Sequence, residues 1–337
     1  MKLFQEKGFD YMKAFVLEQE ELKLKEMPKP TAAAGEVVVS LKVAGLNRRD
    51  LYIRNRWNKK DEALILGSDG AGVVEAVGNG VDQFQVGDEV IINPSLRWYE
   101  NSDAPPKDFD ILGMPDHGTL AEKIVISAEQ LEKKPDYLSW EEAGVLALAA
   151  LTGYRALVTQ GNIQKGQTVF IPGAGSGVAT YIIQFAKAAG ARVIVTSRSE
   201  EKREEALKIG ADRAIDTSSD WEQELQDETI DLVIDSVGRA TFNRSLQVLK
   251  QGGRIVIFGA TTEDTIDVNL RAFFYGQYQL FGSTMGSREE LRELISFMEK
   301  EKIKPVVGHT FALDNVQDAF DLLEINKQFG KIAIEIS

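Results

Sequence analysis

The chain of 337 residues has no cysteine, only two histidines and no long apolar run. Without a thiol there can be no disulfide, no thiolate nucleophile and no thiolate metal ligand. The histidines, His117 and His309, stand near neither a carboxylate nor a nucleophile in sequence, and both read as structural or surface residues. No Ser/His/Asp triad is discernible, although fold geometry rather than spacing sets such a triad. The longest apolar stretch, residues 143–151, is far too short to cross a bilayer, and the N-terminus carries no apolar signal core with a cleavage site. Positive charge is in deficit: 39 Lys and Arg face 52 Asp and Glu, a net charge of −13. That balance argues against unspecific binding to nucleic acid or an anionic membrane, while leaving room for a local cationic pocket. The expectation is a cytoplasmic protein acting on a small molecule, with no nucleic acid and no membrane among its partners.

What is present centres on residues 168–198, TVFIPGAGSGVATYIIQFAKAAGARVIVTSR. A short β-branched and aromatic run leads directly into Gly173, Gly175 and Gly177. Helical spacing follows at Ile182, Ile183, Ala186 and Ala189, and then a second apolar strand. This is a βαβ unit whose glycines permit a tight turn and let a pyrophosphate approach main-chain N–H groups at the positive end of the helix. A glycine-rich structural turn is the alternative. The frame around the loop favours dinucleotide binding, with Gly173, Ala174, Gly175, Ser176, Gly177 and Val178 as the cradle.

The loop departs from G-x-G-x-x-G. Val178 stands where the third glycine belongs and Ala179 arrives one residue late, giving G-x-G-x-G-x-A. At the end of the second strand, where an acid usually holds the ribose 2′-hydroxyl of NAD, the chain reads Thr196, Ser197, Arg198. A missing acid and a present cation favour a 2′-phosphate, with Ser197 as hydrogen-bond donor, Arg198 as charge partner and Lys202 assisting one turn on. The cofactor expected is therefore NADPH; the alternative is that Arg198 simply opens a solvated helix.

Length favours two domains. Residues 1–11 show little periodicity and read as an extension or an upstream start, of unknown role. Short β-like runs follow from Lys13, with Pro28 and Pro30 as breakers, suggesting an all-β module. After Arg198, helix and strand patterns alternate as far as residue 258, which argues for a doubly wound parallel sheet. The turns after its strands, including Ser236, Val237, Phe258, Gly259 and Ala260, should face the ligand crevice.

In the first half stand GSDGAGVVEAVG at 67–78, VGDEV at 86–90, GTLAEK at 118–123 and EEAGVLALAALTGYRAL at 141–157, all before the βαβ unit. In order and spacing these resemble the medium-chain dehydrogenase/reductase superfamily over nearly all of residues 12–337. The resemblance implies an α/β fold: a Rossmann dinucleotide-binding domain at 131–282 and a GroES-like, mainly-β catalytic domain at 12–130 and 283–337. It places Thr152 on the helix leading into the nucleotide site, Ser236 and Val237 on the adenosine side, and 259–261 toward nicotinamide. It implies a homodimer through the edge FFYGQYQLF at 273–281, where exposed aromatics would otherwise invite aggregation.

The zinc ligands of the superfamily fall on Asn47, Ser68, Asp69 and Leu148. One carboxylate cannot build the usual three-ligand site, so no zinc is expected and the chain resembles the zinc-independent, quinone-oxidoreductase-like branch. The segment 95–117, which replaces the structural zinc lobe, reads either as a lid or as a packed surface loop. Without a metal, hydrogen-bond donors must stabilise the oxyanion formed when hydride reaches a quinone, enone or aldehyde. Asn47 and Tyr52 match polar positions lining the family's pocket and are the candidates for polarising the substrate. Arg48 could supply a cation, or Arg48 and Arg49 could simply be solvated. Two other readings remain: a non-catalytic NADPH-binding sensor or partner-binding protein on the same fold, and alcohol oxidation with a metal on unrecognised ligands.

Overall fold

The computed structural model describes residues 10–58 and 62–337. Its second half is built on six parallel strands in the order Arg213–Asp216, Arg192–Ser197, Thr168–Pro172, Ile230–Asp235, Leu249–Ile257 and Gln279–Gly282. The inner strands are near-continuous Val, Ile and Phe because helices cover both faces. Strand order reverses at Thr168–Pro172, so the crevice for a ligand opens at its carboxyl end, where the glycine loop begins. The helix Gly177–Ala188 follows. Ser176 caps it by accepting the Ala179 N–H, and Ile182, Ile183, Phe185 and Ala186 are buried against the sheet.

The first half is antiparallel except where Val307–Ala312 pairs parallel to Lys331–Glu335. A sheet of seven strands runs Leu131–Lys133, Glu89–Ile92, Asp69–Val77, Glu36–Leu46, Lys331–Glu335, Val307–Ala312, with Lys123–Ser127 also paired to Glu36–Leu46. A smaller sheet joins Glu21–Pro28, Tyr11–Glu18 and Leu64–Ile65. The expected architecture, a parallel-sheet nucleotide domain beside a mainly-β domain, is therefore present. Two segments near the expected boundaries sit across the division at 131 and 283. Leu131–Lys133 is a strand of the antiparallel sheet. The helix Arg288–Glu301 buries Leu291, Leu294 and Met298 in the core of the parallel-sheet half.

Two sequence readings need correction, and a third leaves two alternatives to decide between. Of the supposed extension, residues 1–9 lie outside the described residues, but Tyr11 opens the first strand and Asp10 pairs with Lys29 at 2.8 Å. The edge FFYGQYQLF is not one strand: Leu270–Tyr275 is helical, capped by Asn269 accepting the Ala272 N–H, and only Gln279–Gly282 joins the sheet. The turn between them, with Gly276 and a left-handed Gln277 (φ 53°), breaks the apolar run. Segment 95–117 is held down at many points: Trp98 is buried, Phe109 meets it edge-on at 5.4 Å, Arg155 lies over it at 4.8 Å, and Ser95–Leu96 pairs with Asp110–Ile111. Of its two readings, the packed loop is the one observed.

Candidate active site

The glycine loop starts from a left-handed Gly173 (φ +87°), a conformation that side chains resist. A Cβ at Gly175 would strike Lys202 Cδ at 2.6 Å, and one at Gly177 would strike Lys331 Cδ at the same distance. The loop is thus closed in by one lysine from each half of the molecule. The expected cofactor residues converge around it. Val237 packs over Gly173 and Gly259 over Ser236. The N–H of Phe258 donates to Asp235 O, and that of Thr261 donates to Ser236 O. Asp235 holds the turn by accepting the N–H groups of Val237 and Gly238 and the Thr241 hydroxyl, although burial raises its pKa. Ala260 is the exposed end of this wall. Thr152 turns inward, its hydroxyl donating to Leu148 O at 2.7 Å.

At the far end of the crevice Ser197 is buried, and its hydroxyl accepts the Ser199 N–H. Arg198 is exposed and makes no ion pair among the described residues. Lys202 donates to Asn326 O at 2.8 Å; burial first, and the nearby Arg198 after it, hold its pKa below the ordinary lysine range. Glu201 works against that lowering, yet neither cation makes an ion pair among the described residues, and the two form a corner suited to an anion.

The segment Gly330–Lys331 links this loop to a buried polar cluster, since Gly330 N donates to Gly175 O at 3.2 Å. Lys331 Nζ donates to Leu46 O at 2.8 Å, Asn47 Oδ1 at 2.5 Å and Asp69 Oδ2 at 3.0 Å, which exhausts its three protons. Asn47 Nδ2 donates to the same Asp69 oxygen at 2.9 Å, and the Leu148 N–H donates to Asp69 Oδ1 at 2.6 Å. Asn47 is therefore held inward with its amide engaged on both sides. Tyr52 lies on the helix Asp50–Arg56, 40% exposed, and the two candidate polarising residues are not brought into one hydrogen-bonded unit.

Neither neighbouring arginine is merely solvated. Arg48 is half-buried with Nε and Nη1 sealed from solvent and unpaired. Arg49 Nη1 donates to Ser68 Oγ at 2.6 Å and to Leu112 O at 2.8 Å, and burial lowers its pKa. Asp50 accepts the Asn47 N–H with one oxygen while the other is buried and unpaired; burial pushes its carboxyl up to about 6. Lys331 and Asp50 were invisible as site residues in the sequence, one 284 positions from Asn47 and the other one letter in a charged run.

The donors at the superfamily's zinc positions do not fit that metal. Asp69 is already paired with an ammonium, Ser68 both accepts from Arg49 and donates to Leu112 O, and Leu148 offers hydrocarbon. Among the described residues no three His, Cys, Asp or Glu gather to hold a metal. His117 Nδ1 accepts the Ile65 N–H, and His309 lies exposed in Val307–Ala312.

A doubly wound sheet with a glycine-loop crevice, closed by a GroES-like body carrying polar residues, defines the class of nicotinamide-dependent oxidoreductases. The comparisons agree. Residues 33–136 match the family model described as alcohol dehydrogenase GroES-like domain, and residues 177–300 match that of zinc-binding dehydrogenase. The chain is 31% identical to an acryloyl-coenzyme A reductase of Sulfurisphaera tokodaii, over 96% of this chain and 100% of that protein. Among solved structures, an NAD-dependent alcohol dehydrogenase superposes with a TM-score of 0.89 and 35% identity, covering 97% of this chain and all of the other. A 2-octenoyl-CoA carboxylase reductase in complex with NADP and 2-octenoyl-CoA superposes with a TM-score of 0.86 and 25% identity, covering 97% and 88%. The chain belongs to the medium-chain dehydrogenase/reductase superfamily.

Proposed function

We propose that the protein is an NADPH-dependent reductase that passes hydride to an electrophilic carbon of an enone, quinone or aldehyde without a catalytic metal. The observation that carries the cofactor choice is the corner formed by Arg198 and Lys202 at the end of the second parallel strand, two cations that make no ion pair among the described residues. A 2′-phosphate supplies the anion that this corner lacks, and Ser197 stands beside it. The backbone of 173–178 approaches the pyrophosphate, and the turns 236–238 and 258–260 line the crevice toward the ring. When bound, the nicotinamide supplies the hydride. The chain's own residues hold the acceptor against it, keep out water and meet the negative charge that develops on oxygen. Relatives that include an acryloyl-coenzyme A reductase and a complex with 2-octenoyl-CoA support an activated alkene as acceptor. The saturated Asp69–Lys331 pair supports metal-free chemistry, because its charge is already neutralised from within.

Calorimetric titration with NADPH and NADH in parallel tests this reading. NADPH should bind more tightly, and the double variant Arg198→Ala, Lys202→Ala should weaken NADPH by about tenfold or more, on the order of 1.4 kcal/mol, leaving NADH nearly unchanged. Equal affinity for the two cofactors would sink the phosphate corner. Cofactor binding with no oxidation of NADPH by enone, quinone and aldehyde panels would instead favour the sensor.

A further inference from the structure

Around the buried cluster three cations, Arg48, Arg49 and Lys331, face two carboxylates, Asp50 and Asp69, in a chain whose net charge is −13. Lys331 is matched by Asp69. The arginines have no carboxylate within ion-pair distance among the described residues. Neutral partners alone do not mark a site: Arg155 sets Nη1 on both oxygens of Glu290 at 2.8 and 2.9 Å and Nη2 on Ser102 O and Asp103 O, while Arg244 and Arg254 brace on carbonyl oxygens without a carboxylate among the described residues. What sets Arg49 apart is its place beside Ser68, one of the superfamily's zinc positions and a neighbour of Asp69. Arg49 spends Nη1 on neutral acceptors, the Ser68 hydroxyl and Leu112 O, and reaches Ile111 O only at 3.5 Å. Its Nε makes no bond among the described residues, yet it is not sealed from solvent as the Arg48 Nε is. A partly desolvated cation with one arm anchored and one edge open is pre-set for an anion arriving from outside.

We propose that Arg49 is the substrate-polarising residue: its open edge donates to the carbonyl oxygen of the acceptor and holds the oxyanion formed as hydride arrives. This rests on the reductase reading above and replaces Asn47 in the polarising role. The electron flow balances. The C4–H bond of the reduced nicotinamide breaks and its electron pair forms the new C–H bond at the β-carbon of an enone. The alkene pair shifts toward the carbonyl carbon, and the carbonyl pair moves onto oxygen as an enolate. A proton from water then completes the product. Arg49 keeps all its protons throughout, as a guanidinium does, and acts by charge and direction alone. Ser68 and Leu112 O keep the fork from turning away.

The test uses the full-length wild type, Arg49→Ala and Arg49→Lys, with NADPH and 2-cyclohexen-1-one. If Arg49 holds the oxyanion, both variants keep their melting temperature and NADPH affinity near wild type while kcat/KM falls about 100-fold. Millimolar methylguanidinium then restores part of the kcat of Arg49→Ala without raising its melting temperature. A readout independent of turnover is 4-nitrophenol in the presence of NADP+: the wild type should bind more of it as phenolate than Arg49→Ala does at the same pH. Turnover in Arg49→Lys or Arg49→Ala within threefold of wild type, or equal phenolate binding, overturns the assignment while leaving the reductase reading intact. A fall in kcat/KM that merely follows a lower melting temperature and is not rescued makes Arg49 a brace. If the wild type turns over no enone, quinone or aldehyde, it is the reductase reading that fails, and this role for Arg49 falls with it.

Discussion

Asp50 has the strongest environmental signature of any carboxyl in the candidate site. It is buried, one oxygen has no partner, and its pKa is raised to about 6. The folded-state value lies above the ordinary unfolded value of about 3.9, so folding disfavours its charged form. Its contribution to stability is therefore full below about pH 4 and is lost as pH rises through about 6. Asp50→Asn removes that dependence, and the amide oxygen can still accept the Asn47 N–H. Urea unfolding of the variant should show a flatter profile between pH 4 and 6.5 and a gain of up to about 3 kcal/mol at pH 7. An unchanged profile would mean that Asp50 titrates normally. Asp50 and Lys331 share a lesson: a residue's letter carries its charge, and only its surroundings decide whether that charge is in water.

At the scale of elements, the glycine motifs of the first half acquire reasons. Gly118 opens GTLAEK, and a Cβ there would stand 1.9 Å from Gly67 O and 2.6 Å from Leu66 O. The main chains of 66–67 and 118–120 are laced together, with Gly118 N donating to Ile65 O and Leu120 N to Leu66 O. The contact fixes Ser68 and Asp69, the next two residues, against the neighbouring strand. Gly118→Ala must push backbone from backbone and should cost on the order of 3 kcal/mol. It should also lower turnover more than cofactor affinity, since the displaced residues lie on the substrate side. Thermal unfolding together with NADPH titration checks both parts. Element type was legible where pattern and caps agreed, as in Gly177–Ala188 with its Ser176 cap. It failed at FFYGQYQLF, where a short, aromatic-rich stretch hid a capped turn of helix before Gly276. The hydrophobic period cannot separate these in so short a run.

At the scale of the molecule, Gln279–Gly282 is the last strand of the parallel sheet and its outer edge is unpaired among the described residues. Leu280 is 46% exposed, and Leu270, Phe274 and Tyr275 on the adjoining helix are 74, 53 and 68% exposed. An apolar surface beside an open edge is a liability unless covered, and a second copy meeting it across a two-fold axis covers both edges at once. We therefore expect light scattering to give about twice the 37.3 kDa of one chain. Leu280→Lys should shift the protein to the monomer. A wild type that stays monomeric at micromolar concentration removes this edge as an interface. No helix among the described residues is long and apolar enough to cross a membrane.

The order of motifs and the strand, loop, helix and strand around Gly173 were enough to define the fold and superfamily. Such features are local: a glycine at a tight turn or a run of β-branched residues has its reason within a few positions. The same holds for the Ser197 and Arg198 pair, which stands one strand beyond the glycine loop. The polar cluster is different in kind. Asn47, Asp69, Leu148 and Lys331 come from four separate stretches, and the Lys331 ammonium bonded to Asn47 and Asp69 becomes visible only when the C-terminal strand lies beside Glu36–Leu46. The same folding closes off Asn47 and leaves Arg49 with an open edge, because hydrogen-bond saturation and desolvation are properties of a packed neighbourhood rather than of a residue's place in the chain.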